Sequence, residues 1–496
     1  MRAGGTAWQA WGSGAAVAAA GLARTAYLAT HLDLAITDIP DDAFYYLRLA
    51  SNFAHSGQWT FDGTSPTSGF HLLHAYLLAL ANPVLGDRAL DWPFMLVVVG
   101  VFASLCLGLA TTLMVRVAQR VYPHAAAWWV VPAMLTPVAI NAATMLMESH
   151  LVVLAGAAVL YAITGTEKPR LSTGIGLVVV GFVAALSRLD FALLPGTAWV
   201  AFRVRSKVEP VQARRADLVF AGTLAGFATT LVHTWVVSGT LVPTSASAKL
   251  RWSLARHVDF LVALQVLDVV LIALLLILAV SGTRQGRASW FHDTPVTLAS
   301  LFGLLGYAAF YGTATSGAQK WYLTSMLVPA ALLMAAIGGQ VAQRAGRLVA
   351  SIAAGALSVI CLALSVAGSA TGLWPWQIGM LHAAQEVGAD PSIERLGAWN
   401  AGIMSVVSGK PVTNLDGLVD DRAAAASRAG TLFDYLRERN IDHLADAESI
   451  VKEDEAGLVD PRVARCYLKV RRLSGESDPD TAGGAVWLFA YQPGCR

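Results

Sequence analysis

The chain has 496 residues, 55% of them hydrophobic and 14% charged, with a mean hydropathy of +0.55. Its 35 Lys and Arg nearly balance 33 Asp and Glu, so charge gives no support for a polyanionic partner such as nucleic acid. Apolar residues gathered in runs of about 18 to 24 exclude an ordinary soluble globular protein and indicate a polytopic membrane protein in contact with the lipid bilayer.

The first apolar stretch, from about Ala10 to Thr30, lacks a short h-region followed by a small-residue cleavage site, and reads as a retained first span. Behind it comes the polar segment DIPDDAFYYLRLASNFAHSGQWTFDGTSPTSGFHLLHAY (38–76). From Ala43 onward, Phe44, Leu47, Leu49 and Phe53 fit an amphipathic helix lying on the membrane surface, with Asp41 and Asp42 near its N-terminus. Carboxylates at a helix start have a structural use as caps. Against a membrane span they also mark functional sites.

Further apolar runs fall at about 92–115, 125–143, 147–164, 172–187, 190–203, 216–237, 259–281, 294–312, 321–339 and 348–368, which with the first makes about eleven spans. Cations concentrate in alternate loops: Arg116 and Arg120; Lys168 and Arg170; Arg203 to Arg215; Arg284 and Arg287; Arg344 and Arg347. Retention of cations on the cytoplasmic side puts the N-terminus inside and the first loop, 31–90, outside, with amphipathic helices in it. An odd number of spans sends the tail to the same outer face.

Charges become frequent in that tail, and the expected division is 1–369, the membrane domain, and 370–496, a small extracytoplasmic α/β domain. KPVTNLDGLVD (410–420) reads as a strand and turn, TLFDYLRERN (431–440) as an amphipathic helix, ARCYLKVRRL (464–473) and AVWLFAYQ (485–492) as strands, and GESDPDTAGG (475–484) as a loop. Cys106 and Cys361 fall inside apolar spans as packing residues. Cys466 and Cys495 fall in the outer domain, where an oxidising compartment permits a disulfide, although spacing alone leaves their approach open.

The polar residues near the spans map to the outer side: Glu148, Arg188 and Asp190 in SRLD, Lys249, and Lys320 followed by Trp321 and Tyr322. Each has a structural alternative. Glu148 can cap its helix, Arg188 and Asp190 can pair with each other, and Lys249 can snorkel to the interface. His55, His71 and His74 lack the compact ligand spacing of a zinc site, and Trp59, Trp374 and Trp376 fit an interfacial belt. Together the set suggests transfer from a phosphate-linked donor. A carboxylate removes the acceptor's proton, while cations, or a divalent metal (Mg or Mn) held by acidic residues, offset charge on the departing phosphate. No nucleotide-type Gly-rich loop precedes a helix, so a lipid-phosphate donor fits better.

DDAFYYLRLASNFAHSGQWTFDG (41–63), TSGFHLLHAYL (67–77), MESHL (147–151), SRLD (187–190), GTLVPTSASAK (239–249) and GAWNAGIMSVVSGKPVTNLDGLVD (397–420) resemble segments of the GT-C glycosyltransferases, membrane enzymes that use polyprenyl-phosphate sugars. The resemblance is to the bacterial branch of aminoarabinose and terminal arabinofuranosyl transferases. It implies a GT-C-like membrane domain and an inverting glycosyltransferase of the cell membrane, hexosyl- or pentosyl-transferring. The donor would be a polyprenyl-phosphate sugar and the acceptor a hydroxyl of an envelope glycan or lipid. The base would be Asp41, with Asp42 as helper or alternative. Glu148 would be a second acidic site near donor or metal, although Leu146 stands where that motif carries Gly. Lys249 and Arg188 would face the donor phosphate, His71, Asp190, Lys320 and Tyr322 would contact donor or acceptor, and NLDGLVD would be a folded turn. A flippase of lipid-linked sugars is the alternative class; transporter folds often show repeated halves, and this chain shows no internal repeat.

Overall fold

A computed structural model describes residues 3–122, 126–249, 294–314, 319–368, 372–454, 460–473 and 485–495. Among them five helices are long and apolar enough to cross a membrane: Trp92–Val121, Pro210–Ser238, Pro295–Gly312, Lys320–Ala345 and Arg347–Gly368. The chain is an integral membrane protein. Two further apolar helices, Ser149–Ile163 and Leu171–Ser187, are shorter. The expected span at 259–281, the cations Arg284 and Arg287, and the loop 475–484 lie outside the described residues.

Apolar side chains gain little by leaving lipid for a helix interface, so membrane helices associate where small residues let backbones meet. Helix Ala3–Ala29 packs along Trp92–Val121 in this way. A Cβ added at Gly14 would strike the Gly108 carbonyl, and one at Gly21 would strike Ser104. Leu171–Ser187 and Pro210–Ser238 are paired through Gly181, against the Val219 carbonyl, and Gly222, against that of Val178.

Helix Ala3–Ala29, from the first expected span, is not among the five, and two other apolar runs take a different form from the one expected. The run at 125–143 contains no single helix; it breaks into a 3-10 turn, Ala126–Trp129, and short helices Val130–Met134 and Pro137–Asn141. Pro132 and Pro137 cause the break, because proline lacks the amide that continues a helix. The run at 190–203 yields helix Leu193–Val204, twelve residues. At 1.5 Å per residue that is about 18 Å, short of a hydrocarbon core of about 30 Å.

The polar stretch after the first helix forms Leu32–Asp38, Asp41–Ser56 and Leu72–Leu85. Asp41–Ser56 ends at Gly57, whose φ of 70° is the left-handed conformation that glycine adopts without a side-chain clash. The far end of the chain builds a sheet of β1 (Leu396–Ala398), β2 (Val412–Asn414), β3 (His443–Ala447), β4 (Tyr467–Arg472) and β5 (Val486–Tyr491), in the order β2-β1-β3-β5-β4. β1 runs parallel to β2 and β3, with Leu396 opposite Val412 and His443; β5 runs antiparallel to β3 and β4. Helix Ala401–Ser408 connects β1 to β2. A second core of Leu432, Leu436, Leu444, Tyr467 and Phe489 lies on this sheet, and a disulfide joins Cys466 to Cys495 with their Cα atoms 5.5 Å apart.

Candidate active site

Asp41 and Asp42 occupy the first turn of helix Asp41–Ser56, entered from Pro40 in extended conformation. Successive helical residues point about 100° apart, and the two carboxylates meet different surroundings. Asp41 is buried. Its oxygens accept from the Gly402 amide at 2.9 Å and the Ile403 amide at 2.7 Å, so it caps helix Ala401–Ser408 instead of its own. Burial pushes its carboxyl up to about 7, against those two amides, with Asp42 and Asp446 adding to the rise.

Asp42 points the other way, into a cavity of about 410 Å³. Its side chain is 22% exposed, and its Oδ2 accepts from Lys249 Nζ at 2.8 Å. Lys249 ends helix Thr244–Lys249. Burial would lower its ammonium, but Asp42 outweighs that effect and holds it above the usual lysine range. Of the two candidate carboxylates, Asp42 faces the cavity and Asp41 does not. Tyr45, Tyr46, His71, Arg188, Asp190 and Tyr322 also line it, among apolar residues that include Phe70, Phe227, Phe310 and Trp321.

Behind one wall lies a buried polar knot. Glu148 has no exposed side-chain surface; its Oε2 accepts from Tyr46 at 3.2 Å, and its Oε1 lies 3.6 Å from both His71 Nε2 and Arg188 Nη1. Arg188 is 3% exposed. It donates from Nε to Asp190 at 3.0 Å, from Nη1 to the Trp321 carbonyl at 3.4 Å and from Nη2 to Tyr311 at 3.2 Å. Tyr311 in turn donates to Asp190. All three guanidinium nitrogens thus meet protein acceptors, as befits a group that holds helices together.

Leu146 precedes this knot with φ of +55°. Leucine stands here where the resemblance implied Gly, yet the backbone is left-handed, and its carbonyl accepts from His74 Nε2 at 3.0 Å. A left-handed non-glycine residue costs about 1–2 kcal/mol, and the fixed carbonyl helps to hold it there.

Of the residues singled out from sequence, Asp42, His71, Arg188, Asp190, Lys249 and Tyr322 converge on one cavity, and Glu148 stands behind its wall. Lys320 does not line it; its ammonium lies 5.7 Å from the Trp374 ring centre. Trp59 is not interfacial but buried, stacked on Phe53 at 4.1 Å. Sequence reasoning passed over Tyr45, Tyr46, Tyr311 and Asp416. Asp416 lay within the quoted NLDGLVD segment, where the single carboxylate between Leu415 and Gly417 was the available signal. No group of three or more His, Cys, Asp or Glu among the described residues could hold a metal ion. Glu148 Oε2 accepts from Tyr46, while its buried Oε1 has no hydrogen-bond partner and lies 3.6 Å from His71 and Arg188.

No family model and no curated protein matches the sequence. The structure is similar to that of ArnT from Cupriavidus metallidurans bound to undecaprenyl phosphate, at 12% identity and a TM-score of 0.58, over 95% of this chain and 98% of that one. It is also similar to the oligosaccharyltransferase AglB from Archaeoglobus fulgidus in complex with an inhibitory peptide and a dolichol-phosphate, at 11% identity and a TM-score of 0.52, over 95% of this chain and 74% of that one. The Archaeoglobus fulgidus enzyme in complex with Zn and sulfate matches at 12% identity and a TM-score of 0.51, over 86% of this chain and 67% of that one. At such identities the likeness is one of architecture, and it extends over nearly the whole chain: the protein has the GT-C fold.

Proposed function

We propose that the protein is an inverting glycosyltransferase that moves a sugar from a polyprenyl-phosphate donor to a hydroxyl of an envelope glycan or lipid. The observation that carries this reading is the partly exposed Asp42–Lys249 pair at the edge of an apolar cavity. The presence of undecaprenyl phosphate in the similar ArnT structure and dolichol-phosphate in the AglB structure supports it.

In the proposed reaction the acceptor hydroxyl attacks the anomeric carbon as its proton passes to Asp42. The bond between that carbon and the phosphate oxygen breaks, and polyprenyl phosphate leaves with the electron pair. One base and one leaving group give a single displacement with inversion. An ammonium carries three donors, so Lys249 can bond Asp42 and a phosphate oxygen together. A second, apolar cavity of about 710 Å³ shares Leu189, Asp190, Phe227 and Phe310 with the first and offers the polyprenyl chain a path into lipid. The reaction face is the outer side of the cell membrane, with the N-terminus cytoplasmic, residues 1–369 forming the membrane domain and 370–496 the outer one.

The test is transfer by purified protein in lipid, offered polyprenyl-phosphate pentoses and hexoses with envelope acceptors, and product stereochemistry by NMR. Transfer with inversion is expected. Retained stereochemistry would rule out the single displacement, and transbilayer movement of donor without transfer would favour the flippase class.

A further inference from the structure

The loop after β2 crosses over the cavity and engages three segments far away in sequence. Asp416 Oδ2 accepts from the Tyr45 hydroxyl at 3.0 Å, Asp416 Oδ1 accepts from the Leu418 amide at 2.7 Å, and Asn414 donates to the same Tyr45 oxygen at 3.1 Å. Leu418 lines the cavity, and its carbonyl sits so close to Gly69 that a Cβ there would collide with it. Asp421 accepts from Thr67 at 3.1 Å and from Thr244, the first residue of the short helix that ends in Lys249. Tyr45 lies one helical turn beyond Asp42. Asp416 thus reaches the helix of Asp42 through Tyr45, and Asp421, the first residue of the helix that follows the loop, reaches that of Lys249 through Thr244.

We propose that Asp416 is a positioning residue of the reaction centre, a second carboxyl that orients Tyr45 beside Asp42 and whose charge governs how well Lys249 receives the donor phosphate. The idea rests on the transferase reading and deepens it.

The groups facing Asp416 are Tyr45 and Asp42 from helix Asp41–Ser56, Lys249 from helix Thr244–Lys249, and the Leu418 amide from its own loop. Burial and the neighbouring Asp42 push the Asp416 carboxyl up to about 8, against the Leu418 amide, the Tyr45 hydroxyl and Lys249. The acid is thus neutral at pH 7 and becomes an anion as pH rises through about 8. The new negative charge offsets Lys249 and opposes an incoming phosphate. Asp41, pushed up to about 7, titrates earlier and belongs to the acid side of any profile.

The test measures KM for the polyprenyl-phosphate sugar between pH 6.5 and 9 in wild type, Asp416→Asn and Tyr45→Phe, with thermal melts of each. Asparagine imitates the neutral acid. We expect wild-type KM to rise severalfold above about pH 8 and the Asp416→Asn value to stay level across the range. Tyr45→Phe removes a hydrogen bond that favours the anion and should move the rise to higher pH. An unchanged rise in Asp416→Asn, an unshifted one in Tyr45→Phe, or a level wild-type profile would each overturn the assignment while leaving the transferase reading intact. Wild-type protein that transfers no sugar would overturn that reading, and this one with it.

Discussion

Two carboxylate–cation pairs stand within the same cavity region, and their surroundings differ. Asp42 and Lys249 keep 22% and 26% of their side chains exposed, while Glu148 and Arg188 keep 0% and 3%. Arg188 has further partners in Asp190, Tyr311 and the Trp321 carbonyl. A group whose donors are satisfied by the protein has little left for a substrate; a partly exposed pair at a cavity edge can exchange its partner for a ligand. Chemical type alone therefore does not distinguish the two pairs, whereas exposure and partner count do.

The largest expected effect lies in the buried pair. Arg188→Ala would leave Glu148 and Asp190 buried without their cation, at a cost of about 3–5 kcal/mol. The expected outcome is a markedly lower melting temperature in detergent and poor recovery of folded protein. A variant that melts like wild type would put Arg188 on the substrate side of the comparison. Lys249→Met should do the reverse, with a near-normal melt and a donor KM raised about tenfold to hundredfold. That is the range for losing a hydrogen bond to a charged group, worth about 1.5–3 kcal/mol. A large loss of stability with unchanged KM would make Lys249 scaffold.

How far the sequence reached can be judged from particular residues. Helix Asp41–Ser56 was legible from the positions of Phe44, Leu47, Leu49 and Phe53. The cavity's composition was partly legible, since charged residues beside membrane spans are costly enough to stand out. The different surroundings of Asp41 and Asp42 were not. They depend on which neighbour lies 361 residues away, at Gly402. Asp416 was hidden for the same reason, its partner Tyr45 being 371 positions distant. The broken run at 125–143 was misread because hydropathy averages over Pro132 and Pro137, which decide the backbone.

The smallest effect concerns the backbone that leads into the buried knot. Leu146 is buried at φ +55°, so both Leu146→Ala and Leu146→Gly empty a packed site. Glycine alone relieves the left-handed strain. Leu146→Gly should therefore be the more stable of the two by about 1 kcal/mol, the reverse of the usual order in a helix. Melting curves that place alanine above glycine would mean that the strain there is negligible.

The most direct measurement of the central claim compares Asp42→Asn with Asp41→Asn for sugar transfer and for melting temperature in the same preparation. A positioned general base contributes about 10²–10⁴-fold in rate. The geometry therefore predicts that Asp42→Asn loses activity on that scale while folding normally. Asp41→Asn, which weakens the cap on helix Ala401–Ser408, should lose about 1–2 kcal/mol of stability and keep most of its transfer. Full activity in Asp42→Asn with loss confined to Asp41→Asn would contradict the account and return the base to the buried carboxylate.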